Sequence, residues 1–239
     1  KENFMRENNV KDLNKKIHYL QKLVQSSLNF GEQITSNHLQ EIFWEFKNNK
    51  IIEHYAIYNN VLIEDRDNIR QIDHFVICTN GLFIIETKHW KGDIYFNFNK
   101  DNLEEFHLDG LKRYLFPPNG DQYITFILTN ENNEFAFKKF GHPFDQVNKT
   151  REFANEIFDA KFIEMIIYFN HKGDGKLYVG NPNKFVATPS SKAELKQTMH
   201  DKITKNKSRN CMDATTIMSL CEELNKYANN EASIINING

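Results

Sequence analysis

QIDHFVICTNGLFIIETKHWKG, residues 71–92, decides how the rest of the chain is read. Two apolar runs stand back to back with Asn80-Gly81 between them, the strongest short-range signal for a β-hairpin. VIC and LFII are apolar at successive positions, as strands covered on both faces are. Yet Asp73, Glu86 and Lys88 interrupt these runs. With Asn80-Gly81 as a two-residue loop, Thr79 faces Leu82, Phe75 lies opposite Glu86, and Asp73 lies opposite Lys88. Cross-strand partners share a face, and so do residues two apart on one strand. Asp73, Glu86 and Lys88 therefore converge on one face, with Glu86 diagonal to Asp73 at roughly 7 Å. His74 and Thr87 point the other way.

The cluster admits two readings. Asp73 and Lys88 can form a cross-strand ion pair on a solvated face, with Glu86 exposed beside them. Alternatively the three are buried, and buried charges are expensive unless paired or bound to metal. Two carboxylates at this spacing can share a hard divalent cation such as Mg²⁺ or Mn²⁺, which takes oxygen ligands at about 2.1 Å and completes its shell with water. A lysine beside them can stabilise charge developing on a phosphoryl group or orient the attacking water. That combination suits metal-assisted phosphodiester hydrolysis.

Working outward, Leu39, Ile42, Phe43 and Phe46 recur at helical spacing and predict a helix from Glu32 to Asn48. Glu32 falls on the same inward stripe. An amphipathic helix is expected over about residues 10–28, and strands at about 51–58, 60–65, 72–78, 82–88 and 93–98. Residues 99–122 are polar, with Pro117-Pro118 and Asn119-Gly120, and read as an excursion with weak structure of its own. A strand pair at 123–129 and 134–137 precedes a helix that starts at Pro143 and runs to about Asp159. Gln146 stands in its first turn, and Lys149 and Arg151, one turn later, are placed for phosphate contacts if the helix borders the site. FIEMIIYF, residues 162–169, is a strongly apolar strand, followed by strands near 176–179 and 184–187. Helices at about 191–205 and 213–228 follow.

At 239 residues, 40% hydrophobic with 20 Phe, the chain can bury a sizeable core, and wholesale disorder is excluded. Three cysteines without a C-x-x-C pair argue against a disulfide scaffold or zinc ribbon and suit a reducing cytoplasm. No stretch approaches the ~20 apolar residues of a membrane span. The net charge of −2 gives no global pull toward nucleic acid, so any such binding needs a local basic patch. The run Lys202, Lys205, Lys207, Arg209 is one candidate, and a solvated helix end is the plainer explanation of it. No H-E-x-x-H motif or Walker loop is present.

Ile72-Asp73-His74, then Gly81 to Lys88 ending Glu86-Thr87-Lys88, then Trp90-Lys91-Gly92, resemble the nuclease-related domain (NERD), a branch of the PD-(D/E)xK nuclease superfamily. Gly31-Glu32, Tyr58-Asn59-Asn60 and Pro143-Phe144-Asp145-Gln146 fall where that family places its Gly-Glu, its Asn-containing strand end and its Pro-x-x-Gln helix start. The eponymous proline is replaced by Ile72. The resemblance covers about residues 30–170 and implies an α/β fold, a central mixed sheet flanked by helices with a restriction-endonuclease-like core. It implies Asp73, Glu86 and Lys88 as catalytic residues, with Asp73 and Glu86 holding Mg²⁺ or Mn²⁺ and Glu32 and Gln146 in support. The organisation expected is an N-terminal amphipathic helix or linker over 1–29, the nuclease-related domain over 30–190 with its insertion near 99–122, and a C-terminal helical segment over 191–239.

The function expected is a cytoplasmic, metal-dependent nuclease acting on DNA, with Lys149 and Arg151 on the phosphate backbone. An RNase, or a non-catalytic nucleic-acid-binding or partner-docking module on the same fold, is the alternative. Family members are often fused to helicase, kinase or zinc-finger modules and occur in mobile-element and phage-defence systems, so a helicase or other defence protein is the partner class implied. Oligomeric state is left open.

Overall fold

A computed structural model of the chain describes residues 30–65, 68–131, 134–140, 143–158, 163–207, 211–226 and 234–237. The helix expected over 10–28, and with it the whole 1–29 segment, lies outside the described residues.

In chain order the elements are α1 (Phe30–Asn48), β1 (Tyr55–Asp65), β2 (Asn68–Cys78), β3 (Gly81–Lys88) and β4 (Asp93–Phe98). Next come α2 (Lys100–Glu105), a 3-10 turn at Asp109–Leu111, α3 (Lys112–Leu115), β5 (Ile124–Glu131) and β6 (Glu134–Phe140). They are followed by α4 (Pro143–Phe158), β7 (Ile163–Phe169), β8 (Leu177–Val179), β9 (Val186–Ala187), α5 (Lys192–Asn206), α6 (Ala214–Asn225) and β10 (Ile234–Asn236).

β1, β2 and β3 form an antiparallel meander, and β7 joins β3 in parallel after the α4 crossover. The result is a mixed sheet in the order β10-β1-β2-β3-β7-β9, sandwiched between helices. One face packs on α1 and α5: Leu39, Phe43, Leu195, Met199 and Ile203 meet Val76, Phe83, Ile85 and Tyr168. The other face packs on α4 and α6, where Ala154, Ile217 and Leu224 meet Phe75, Ile77, Leu82 and Ile84. Two covered faces account for the unbroken apolar runs of β2 and β3.

Three sequence expectations are corrected here. The strands expected at 51–58 and 60–65 are one strand, β1. It passes through Asn60 at φ +53° without breaking, a left-handed conformation that Asn tolerates better than most residues. Residues 99–122 are not a loose excursion. Asn99 and Asn102 build a reciprocal cap at the start of α2, and Leu103, Leu115 and Phe116 bury against Tyr95, Phe98 and Phe126. Their apolar residues, Leu103, Phe106, Leu108, Leu111 and Leu115, sit on or beside a six-residue helix, a 3-10 turn and a four-residue helix, elements too short for one period to run through, so local polarity hid a small core. Finally, β4, β5, β6 and β8 form a second sheet, in the order β6-β5-β4-β8. The pairing of β4 with β8 crosses most of the domain and leaves no local trace in the sequence.

Gly92 makes the turn between the two sheets. It sits at φ +98°, and a Cβ there would lie 2.5 Å from the Leu128 carbonyl oxygen. Gly92→Ala is expected to lower stability by at least about 1–3 kcal/mol from backbone strain alone, read by urea denaturation.

Candidate active site

The hairpin register differs from expectation by one residue on each strand. Cys78 pairs with Gly81, Ile77 with Leu82 and His74 with Ile85. Thr79 is the reason. Its hydroxyl accepts from the Glu53 and His54 amides at 3.0 and 2.9 Å, and its own amide donates to the His54 carbonyl. Thr79 is therefore tied to the segment before β1, and Thr79-Asn80 becomes the two-residue loop. Neither Asn80 nor Gly81 takes a positive φ, so the mirror-image turn that favours Asn-Gly is not used. Because both strands shift together, every side chain keeps its face. Extending the pairing one step past His74 and Ile85 sets Asp73 opposite Glu86 rather than Lys88.

Asp73 and Glu86 are 7% and 4% exposed. The Thr87 amide donates to Asp73 Oδ2 at 2.8 Å. Lys88 Nζ donates to Glu86 Oε1 at 2.5 Å and to Gln146 Oε1, from the first turn of α4, at 3.3 Å. The ion pair is thus Lys88 with Glu86, and the solvated Asp73–Lys88 pair is not formed. Burial, then the negative charges of Glu86 and of Glu32 on α1, hold the Asp73 carboxyl well above the ordinary carboxylate range. The Thr87 amide and the Lys88 charge only partly oppose this. Glu32, itself 8% exposed, belongs electrostatically to the same cluster.

Of the residues nominated from the sequence, the structure brings together Asp73, Glu86, Lys88, Gln146 and Glu32. Lys149 is solvent-exposed. Arg151 lies five residues beyond Gln146, about 140° round the helix and ~7.5 Å along it. It bonds Asn148 Oδ1 at 2.9 Å and lines a different cleft.

Sequence reasoning assigned no role to the face behind the carboxylates. There His74, fully buried, places Nδ1 2.6 Å from Asn59 Oδ1 and Nε2 3.1 Å from Thr87 Oγ1. Asn59 gives its amide hydrogen to Ser36 Oγ at 2.9 Å. Its oxygen therefore faces His74 Nδ1, which carries the ring proton. Burial pushes the His74 pKa down to about 3, keeping the ring neutral. Thr87 Oγ1 lies 3.0 Å from Thr35 Oγ1 on α1. The network thus ties the first turns of α1, which carry Glu32, to Thr87, whose amide holds Asp73. The signal available was His74 alternating with Asp73 on an otherwise apolar strand. His74→Ala is expected to cost about 2–4 kcal/mol in urea denaturation, because it strands buried groups on Asn59 and Thr87.

Among the described residues, no group of three or more His, Cys, Asp or Glu side chains is arranged to hold a metal ion. The donors available are two carboxylates, Asp73 and Glu86, with negative charge crowded around Asp73. That set fits a hard cation that accepts one or two carboxylates and keeps its waters, as Mg²⁺ does. It does not fit the nitrogen and sulfur shell of structural zinc.

A family model described as the nuclease-related domain matches residues 27–170, more than half of the chain. The chain belongs to the NERD family. The match spans Glu32, Asp73, Glu86, Lys88 and Gln146, together with Lys149 and Arg151. No curated protein and no solved structure matches the chain. The α/β architecture, a mixed sheet flanked by helices, is consistent with the restriction-endonuclease-like fold of NERD domains. Among the described residues, no helix of this NERD protein is long and apolar enough to cross a membrane.

Proposed function

We propose that this NERD domain is a divalent-metal-dependent nuclease that hydrolyses phosphodiester bonds in DNA. The observation that supports this most is the pairing of two buried carboxylates, Asp73 and Glu86, with Lys88 on one sheet face. A purely structural core has no use for an Asp that burial, and then two acidic neighbours, hold above its ordinary titration range. Groups so perturbed cluster at functional sites.

Asp73 and Glu86 would hold Mg²⁺ or Mn²⁺. When bound, the ion polarises a phosphoryl oxygen and makes its water a better nucleophile. The Thr87 amide fixes one Asp73 oxygen and leaves the other for binding. Lys88 can turn its ammonium from Glu86 toward the charge that develops on the phosphoryl oxygens, while Gln146 keeps that ammonium at the site. Glu32 adds negative charge that strengthens cation binding. Lys149 offers a phosphate contact on the solvent side of α4.

The test is digestion of supercoiled, linear and single-stranded DNA, and of RNA, with Mg²⁺, Mn²⁺ or chelator. Cleavage of DNA with metal and none with chelator is expected. Preferential cleavage of RNA would make the protein an RNase. Binding without cleavage of any substrate would make it a non-catalytic module on the nuclease fold.

A further inference from the structure

Toward the far end of α4 a cleft of about 550 Å3 opens between α4, β7, α5 and the residues leading into β9. Arg151 and Asn155 enter it from α4, Lys202 and Lys205 from α5, and Lys184 and Phe185 from the approach to β9. Its charges are unevenly used. Glu164 holds Lys202 in an ion pair and accepts from Asn206 Nδ2 at 3.3 Å. Asp201 accepts from Gln197 at 2.8 Å. Arg151, Lys184 and Lys205 are left with no carboxylate partner among the described residues. Two polar atoms here, Arg151 Nε and Asn155 Oδ1, are buried without a hydrogen-bond partner among the described residues. Buried polar groups in native proteins are nearly always satisfied, and an exception calls for a missing water, ion or ligand. Phe185 is 57% exposed beside them, with Lys184 Nζ 4.8 Å from its ring centroid.

We infer that this cleft binds an unpaired nucleic-acid strand. Arg151, Lys184 and Lys205 take successive backbone phosphates, and a base stacks on the ring face of Phe185 that Lys184 leaves open. Cations beside an exposed aromatic ring are the combination that holds single strands without reading sequence. The cleft is also placed to anchor substrate for the carboxylate site, a point that rests on the nuclease reading above. On β7, Glu164 stands five residues before Phe169, the partner of Lys88. At ~3.3 Å per residue the two ends are about 17 Å apart, the span of roughly five stacked nucleotides. α4 connects them, with Gln146 at one end and Asn155 at the other.

The test is fluorescence anisotropy in chelator, where cleavage cannot occur, using a labelled 15-nucleotide oligo-dT and a 15-base-pair duplex over a salt series. The double variant Lys184→Ala/Lys205→Ala changes only exposed side chains. It is expected to bind oligo-dT about tenfold more weakly, with a salt slope shallower by about 1.4, since each lost contact to a single strand removes about 0.7. Phe185→Ala is expected to weaken oligo-dT binding several-fold and to leave duplex binding unchanged. Unchanged affinity and slope in the double variant would overturn the inference, and so would equal losses on strand and duplex in Phe185→Ala. Competition by inorganic phosphate or dTMP at the concentration of the oligomer would also overturn it, making the cleft a small-anion site. If these variants behave as expected but the parent cuts nothing with Mn²⁺, the nuclease reading fails while strand binding stands.

Discussion

Asp73→Asn is expected to abolish DNA cleavage and weaken metal binding while leaving the metal-free protein as stable as the parent or more so. Asp73 is buried, feels the negative charges of Glu86 and Glu32, and titrates well above an ordinary carboxylate. Folding therefore forces negative charges together, and asparagine removes one of them while keeping the shape and an oxygen for the Thr87 amide. The same feature fixes a pH dependence. The folded state keeps the Asp73 proton at pH values where the unfolded chain, near about 3.9, has released it. The parent's stability in chelator should therefore be fullest below that value and fall as pH rises through the raised one. Asp73→Asn should flatten this fall, with the gain largest at neutral pH. Urea denaturation from pH 4 to 8, beside cleavage with Mn²⁺, reads both effects. A variant that is destabilised in chelator and still cuts would remove Asp73 from the catalytic site.

How far the sequence foretold these features depended on how local their causes are. The shared face of Asp73, Glu86 and Lys88 followed from strand alternation alone, and it survived a register error because both strands moved together. The error came from Thr79, whose partners Glu53 and His54 lie 26 and 25 residues away. Nothing in the hairpin itself announces them. α1 and α4 were legible because their apolar stripes recur every three or four residues. The strands at 93–98 and 176–179 were legible, but their pairing into a second sheet was not, since Ile94 meets Leu177 from 83 residues away, and β10 is a three-residue strand defined by its distant partner β1. His74 was visible as a polar residue on an apolar strand. Its role was not, because Ser36, Asn59 and Thr87 meet it only after α1 packs on the sheet. Arg151 was placed by sequence near Gln146, and helix geometry turns it into the other cleft.

Lys88→Met is expected to move stability in the opposite direction from Asp73→Asn. Methionine keeps most of the apolar stem, and the Lys88 ammonium is the cation bonded to Glu86 at 2.5 Å. Removing one member of a buried pair leaves the other charge stranded, a loss on the order of 3–5 kcal/mol. The Lys88 side chain is 14% exposed, so water reaches part of the pair and the loss should fall toward the lower figure. In chelator the variant is therefore expected to melt well below the parent. Mn²⁺ placed beside Glu86 supplies the missing positive charge, so the rise in Tm on adding metal should be larger in Lys88→Met than in the parent, because ligand binding adds directly to the folded state. Cleavage should fall by about 10²–10³, the loss typical when one group that stabilises transition-state charge is removed. The two variants thus make a crossed test: loss of Asp73 charge stabilises the empty site, and loss of Lys88 charge destabilises it. If both lower Tm in chelator and neither responds to Mn²⁺, then Asp73, Glu86 and Lys88 are a structural charge cluster and metal binding lies elsewhere.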